Sequence, residues 1–135
     1  MSLLTWDEKY SVEIAEIDRQ HQKLFGLLDE LYEAMQDGQA SEVVGKVLER
    51  VIDYTVYHFA YEEKLMRDAG YPDDAAHRAE HVELADQAKE LARRLQARQG
   101  DVPVATLKFL CDWLGRHILG TDKKYAPFLA AKGIH

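Results

Sequence analysis

The chain has 135 residues, 24 Asp and Glu against 17 Lys and Arg, six His and a single Cys, Cys111. A formal charge of −7 excludes a basic nucleic-acid surface, which needs clustered cations to displace counterions from phosphates. One cysteine excludes an internal disulfide framework. With no signal-type N-terminus and no run of about 18 apolar residues, the expectation is one domain over 1–135, cytoplasmic and without membrane insertion.

Residues 1–16 read as an extended N-terminal arm whose aromatics, Trp6 and Tyr10, pack it against the rest. Helical periodicity then runs over 17–119. The first helix carries His21, Leu24, Leu28, Leu31 and Met35 at three- and four-residue steps and stops at Asp37-Gly38. The second carries Val44, Leu48, Val51, Thr55, His58, Glu62 and Leu65, ending at Gly70 and Pro72. A third stripe runs through His77, His81, Leu84, Ala88, Leu91 and Leu95 to Gly100. The fourth opens near Pro103 and carries Leu107, Leu110, Leu114 and His117 before Gly120. In the C-terminal segment, 120–135, a short helix follows Asp122 and includes Tyr125 and Phe128. Four helices with short links predict an all-α, up-down-up-down four-helix bundle.

Each apolar stripe is interrupted by groups that should not be buried alone: His21 on the first, His58 and Glu62 on the second, His77 and His81 on the third, His117 on the fourth. Pairs at i and i+4 project side by side from one helix face. Burying them without compensation costs several kcal/mol, and a metal ion in the bundle core compensates it. Imidazole with carboxylate suits iron, manganese or zinc, and the inventory exceeds what one tetrahedral ion needs, so two ions sharing carboxylates fit better. The segment His77-Arg78-Ala79-Glu80-His81 also matches the H-x-x-E-H pattern of one metalloprotease class, but that leaves His21, His58 and His117 unexplained. Asp122 lies five residues after His117, on another face of an ideal α-helix. Gly120 between them lets the helix break or tighten and swing Asp122 inward; alternatively Asp122 is a plain helix cap. Asp18 either orients a ligand or caps the first helix. Glu63, Lys64, Arg93 and Arg94 read as exposed faces, and Cys111 as a small core residue.

These residues resemble the hemerythrin family, in its single-domain bacterial form. The resemblance rests on Trp6-Asp7, Tyr10-Ser11-Val12, Ile17-Asp18-Arg19-Gln20-His21, His58-x-x-x-Glu62, His77-x-x-x-His81 and the run Trp113 to Asp122. It implies a non-haem di-iron centre with an oxo or hydroxo bridge. His77, His81 and His117 would bind one iron, His21 and His58 the other, and Glu62 and Asp122 would bridge them. The second iron is then left with an open position for dioxygen, walled by Leu24, Phe25, Trp113 and Leu114. The expected function is reversible oxygen binding for storage, transport or delivery by a monomer, not an enzyme, with an oxygen-consuming enzyme as a partner. Competing classes are a di-iron oxidase or peroxidase, a nitric-oxide scavenger, an oxygen sensor acting in trans and, more weakly, an iron store.

Overall fold

The computed structural model describes residues 4–38, 41–96 and 104–135, without the side chains at 41, 95, 96 and 104–106. Four long helices carry most of it: α1 (Ala15–Gln36), α2 (Ser41–Ala69), α3 (Asp74–Gln96) and α4 (Val104–His117). The chain then runs through a π-helical turn, Ile118–Asp122, into α5 (Lys123–Ala131). No strand occurs among the described residues. The expected stop at Gly100, the start at Pro103 and the side chain of Leu95 lie outside them. Neighbouring helices pack in sequence, α1 on α2, α2 on α3 and α3 on α4, and α4 closes back on α1. That is the order of an up-down-up-down bundle.

The stop signals work through backbone geometry. At the end of α2, Gly70 takes a positive φ of 75°, its N–H donates to the Arg67 carbonyl at 3.1 Å, and the Tyr71 N–H reaches back to Met66 at 2.9 Å. This pair of bonds satisfies carbonyls that the helix end would leave open, and it seats Tyr71 and Met66 in one buried cluster. At Gly133 α5 ends the same way, with the Ile134 N–H on Leu129 at 3.0 Å.

The N-terminal segment departs from the expectation of an extended arm over 1–16. A short 3-10 turn at Glu8–Tyr10 interrupts it, capped by the Asp7 carboxylate accepting from the Lys9 N–H at 2.9 Å, and α1 begins at Ala15. Asp18 takes neither role the sequence offers. Its carboxylate accepts the Ser11 hydroxyl at 2.5 Å and the Val12 N–H at 2.9 Å, which pins the arm to α1. The arm's aromatics do pack: Tyr10 meets Phe25 edge-on at 5.1 Å, with Trp6 6.0 Å from the same ring. A Cβ at Gly115 would meet Leu4 at 3.4 Å, so the arm lies close against α4.

Two apolar clusters fill the interior, one containing Leu24, Phe25, Phe59, Leu84 and Leu114, the other Ile17, Met66, Tyr71, Tyr125 and Leu129. On α1 His21 falls between Ile17 and Leu24, and on α2 Glu62 falls between Phe59 and Met66. A polar layer therefore separates the two clusters.

Candidate metal centre

All seven expected ligand side chains are buried in that layer, each at most 3 % exposed. α1 supplies His21, α2 His58 and Glu62, α3 His77 and His81, α4 His117, and the π turn Asp122. The last placement corrects the expectation of a broken or tightened helix at Gly120. The helix widens instead: the Lys123 N–H donates to the Ile118 carbonyl, an i to i+5 bond, while His117 and Asp122 keep helical dihedrals. Five residues then come close to a full turn, and both side chains face inward. Asp122 makes no capping bond, and α4 and α5 are continuous through the turn rather than separated at Gly120.

The donor atoms converge closely. Asp122 divides its oxygens, with Oδ1 2.7 Å from His77 Nε2 and 3.1 Å from His117 Nε2, and Oδ2 3.2 Å from His21 Nε2. Glu62 Oε1 stands 3.2 Å from His58 Nε2 and 3.3 Å from His81 Nε2, and its Oε2 lies 3.9 Å from His21. Yet the Nε2 atoms of His21, His77, His81 and His117, both Asp122 oxygens and Glu62 Oε1 have no hydrogen-bond partner. Leaving such atoms unpaired costs about 1–3 kcal/mol each. Around a six-coordinate ion with bonds of about 2.1 Å, adjacent donors stand about 3.0 Å apart, close to the spacing observed. By proximity the atoms form two sets: His77, His81, His117 and Asp122, and His21, His58 and Glu62. The donors fit a pair of metal ions.

The outer nitrogens explain why Nε2 faces inward. His58 Nδ1 pairs with Gln20 Oε1 at 2.7 Å, His81 Nδ1 with Glu63 at 3.0 Å, and His117 Nδ1 with Glu80 at 3.0 Å. An acceptor at Nδ1 keeps the proton there and leaves the Nε2 lone pair free. Glu80 also accepts the Thr121 hydroxyl at 2.9 Å. The glutamate of the H-x-x-E-H segment therefore braces a histidine on α4, and the protease alternative loses its general base. Glu62 is braced too, by a short hydrogen bond from the Tyr125 hydroxyl.

The electrostatics follow the same contacts. Burial pushes Asp122 up, but the facing imidazoles of His117, His21 and His77 hold it well below the carboxylate range. Burial and Asp122 push Glu62 up, and His58 and His81 overcome them to hold it low. Burial depresses His117, yet Asp122 and Glu80 carry it up to about 9. His58 is likewise raised by Glu62 against burial. Burial, with Glu62 and Asp122, drives Tyr125 well above its usual range, so its phenol stays a donor.

The sequence matches the hemerythrin HHE cation binding domain over residues 12–129. The chain belongs to the hemerythrin family. It is 38 % identical over 132 residues to a bacteriohemerythrin of Methylococcus capsulatus, covering 97 % of this chain and all of that one. With a bacteriohemerythrin of Stenotrophomonas maltophilia it shares 39 % over 131 residues, 97 % of this chain and 84 % of the relative. A crystal structure of wild-type hemerythrin superposes with a TM-score of 0.89 at 35 % identity, over 96 % of this chain and 99 % of the other.

Four further residues of this hemerythrin-family site escape a reading by stripes: Gln20, Glu63, Glu80 and Tyr125. Glu63 in particular is no plain surface acid. Three of the four obey one rule of position. Gln20 adjoins His21 but serves His58, Glu63 adjoins Glu62 but serves His81, and Glu80 adjoins His81 but serves His117. A residue beside an inward ligand points about 100° away, toward the neighbouring helix. Of the four expected pocket walls, Leu24, Phe25 and Leu114 are buried core residues. Trp113 is half-buried, stacks on His117 at 5.2 Å, and lines a surface cleft of about 360 Å³ with Glu80, Glu83, Arg116 and Thr121.

Proposed function

We propose that the seven side chains hold two iron ions and that this centre binds dioxygen reversibly. His77, His81 and His117 serve one position, His21 and His58 the other, and Glu62 and Asp122 span both, with a solvent-derived oxo or hydroxo group completing the bridge. The observation that carries the proposal is the convergence of five imidazoles and two carboxylates in one sealed layer, most of their inner atoms lacking any hydrogen-bond partner. A ferrous pair supplies two adjacent one-electron donors and, where imidazoles are fewer, a free coordination position for dioxygen.

The chain's own residues do the rest. Gln20, Glu63 and Glu80 fix the tautomers of His58, His81 and His117, and Tyr125 holds Glu62 by its outer oxygen. Asp122 offers its two oxygens to different histidines, the disposition a bridging carboxylate needs. Leu24, Phe25 and Leu114, one turn from His21 or His117, line the ligands with apolar surface, excluding water and protons that would promote loss of the reduced state. Trp113 shields His117 from the outside.

The role follows as storage, transport or delivery of oxygen in the cytoplasm to an oxygen-consuming enzyme. None of the described helices is long and apolar enough to cross a membrane. The test is to reduce the iron-loaded protein anaerobically, admit oxygen and remove it again. A visible charge-transfer band that appears and disappears over repeated cycles supports carriage. Irreversible bleaching with turnover of a substrate, peroxide or nitric oxide supports the enzyme alternatives instead.

A further inference from the structure

The three Nδ1 acceptors differ chemically, and the difference follows the division of the site. Carboxylates back His81 and His117, both in the three-histidine set, whereas a neutral amide backs His58 in the other. A hydrogen bond shared with a carboxylate is stronger than one to an amide and makes the imidazole a better donor through its other nitrogen. Ring packing divides the same way. Phe59 stacks on His81 at 3.8 Å and 3°, Trp113 on His117 at 5.2 Å and 14°, and Tyr125 on His77 at 5.5 Å and 23°. No ring stacks on His21 or His58 among the described residues; the two meet each other edge-on at 4.6 Å, as His77 and His81 also do at 4.5 Å.

We propose that Glu63 and Glu80, set against Gln20, are positioning residues that make the two metal positions electronically unequal. The two carboxylates strengthen donation to the three-histidine position and favour its higher oxidation state; the amide leaves the two-histidine position the weaker-donor side. The two one-electron potentials of the centre are thereby driven apart. This rests on the two-iron reading above.

The experiment separates charge from orientation, because Gln in place of Glu keeps an acceptor oxygen and loses only the charge. The Glu63 and Glu80 side chains are 28 % and 38 % exposed, so amide replacements there leave packing intact. In the iron-loaded protein, Glu63→Gln with Glu80→Gln narrows the gap between the two potentials, and Gln20→Glu narrows it from the other side. In protein loaded with zinc(II), the Nδ1 protons of His81 and His117 resonate downfield of that of His58, and Glu80→Gln moves the His117 proton toward the His58 position while His81 stays. An unchanged or wider gap in both variants, or equal proton shifts in the parent, overturns the proposal. Binding of fewer than two metal equivalents overturns the two-iron reading instead, and metal stoichiometry is measured first.

Discussion

Leu114 and Cys111 share the buried face of α4 one turn apart. Leu114→Ala removes apolar bulk one turn before His117. It is expected to cost about 2–5 kcal/mol of stability and to speed autoxidation of the oxygenated iron form. An unchanged autoxidation rate, followed by absorbance, removes Leu114 from the pocket wall. The Cys111 thiol is pushed up to about 12 by burial, with Asp29 and Asp112 adding to it. The fold thus keeps a proton that the unfolded chain gives up near pH 9, so this contribution to stability is complete below that pH and falls as pH rises toward 12. Native protein should stay inert to a thiol reagent at pH 8 and react only in denaturant; prompt native labelling would contradict the burial. Single-residue chemistry was only partly legible in the sequence. His58 and Glu62 declare themselves because they break an apolar stripe. Glu63 and Glu80 sit at half-exposed positions where acids are ordinary, and only the neighbouring helix gives them a task.

Among the elements, the π turn is where counting by 3.6 residues misplaces a side chain. Helix existence and most boundaries follow from stripes and Gly stops, but a widened turn leaves no mark on hydrophobic spacing, since Ile118 and Asp122 are both buried around it. Gly120 invites an explanation that the structure does not need: its φ is not positive and a Cβ there meets nothing within 4 Å. Gly120→Ala should therefore keep metal binding and raise stability by up to about 1 kcal/mol, as alanine outranks glycine in helices. Thermal unfolding and metal stoichiometry together check this. A lower melting temperature or loss of one metal would show that the widened turn does depend on glycine.

For the molecule as a whole, two of the acids counted in the −7 lie inside it and answer to histidines rather than to solvent. In the metal-free chain burial lowers His117, and Asp122 and Glu80 more than restore it, to about 9. A raised histidine stabilises the fold fully below its unfolded value near 6.5, and that gain is lost as pH rises through about 9. A cation must displace this proton. Loading at pH 7.5 is expected to release at least one proton, so calorimetry in two buffers of unlike ionisation enthalpy should give unlike heats; equal heats would refute it. Acidification should drive the metal out by the same exchange. The loaded chain should lose the alkaline weakening of the metal-free one, visible as diverging melting temperatures between pH 7 and 9.

Trp113 gives the centre an optical reporter. It is one of two tryptophans, and its ring lies face to face with the His117 imidazole, whereas Trp6 packs on Phe25 and Tyr10 of the arm. A paramagnetic ion held at the inward Nε2 of that imidazole would quench indole emission at short range. Part of the native fluorescence should therefore dim as iron enters and return when a chelator removes it, and Trp113→Phe should abolish that part alone. Occupancy becomes readable in dilute solution, without any label, from light that the protein already emits.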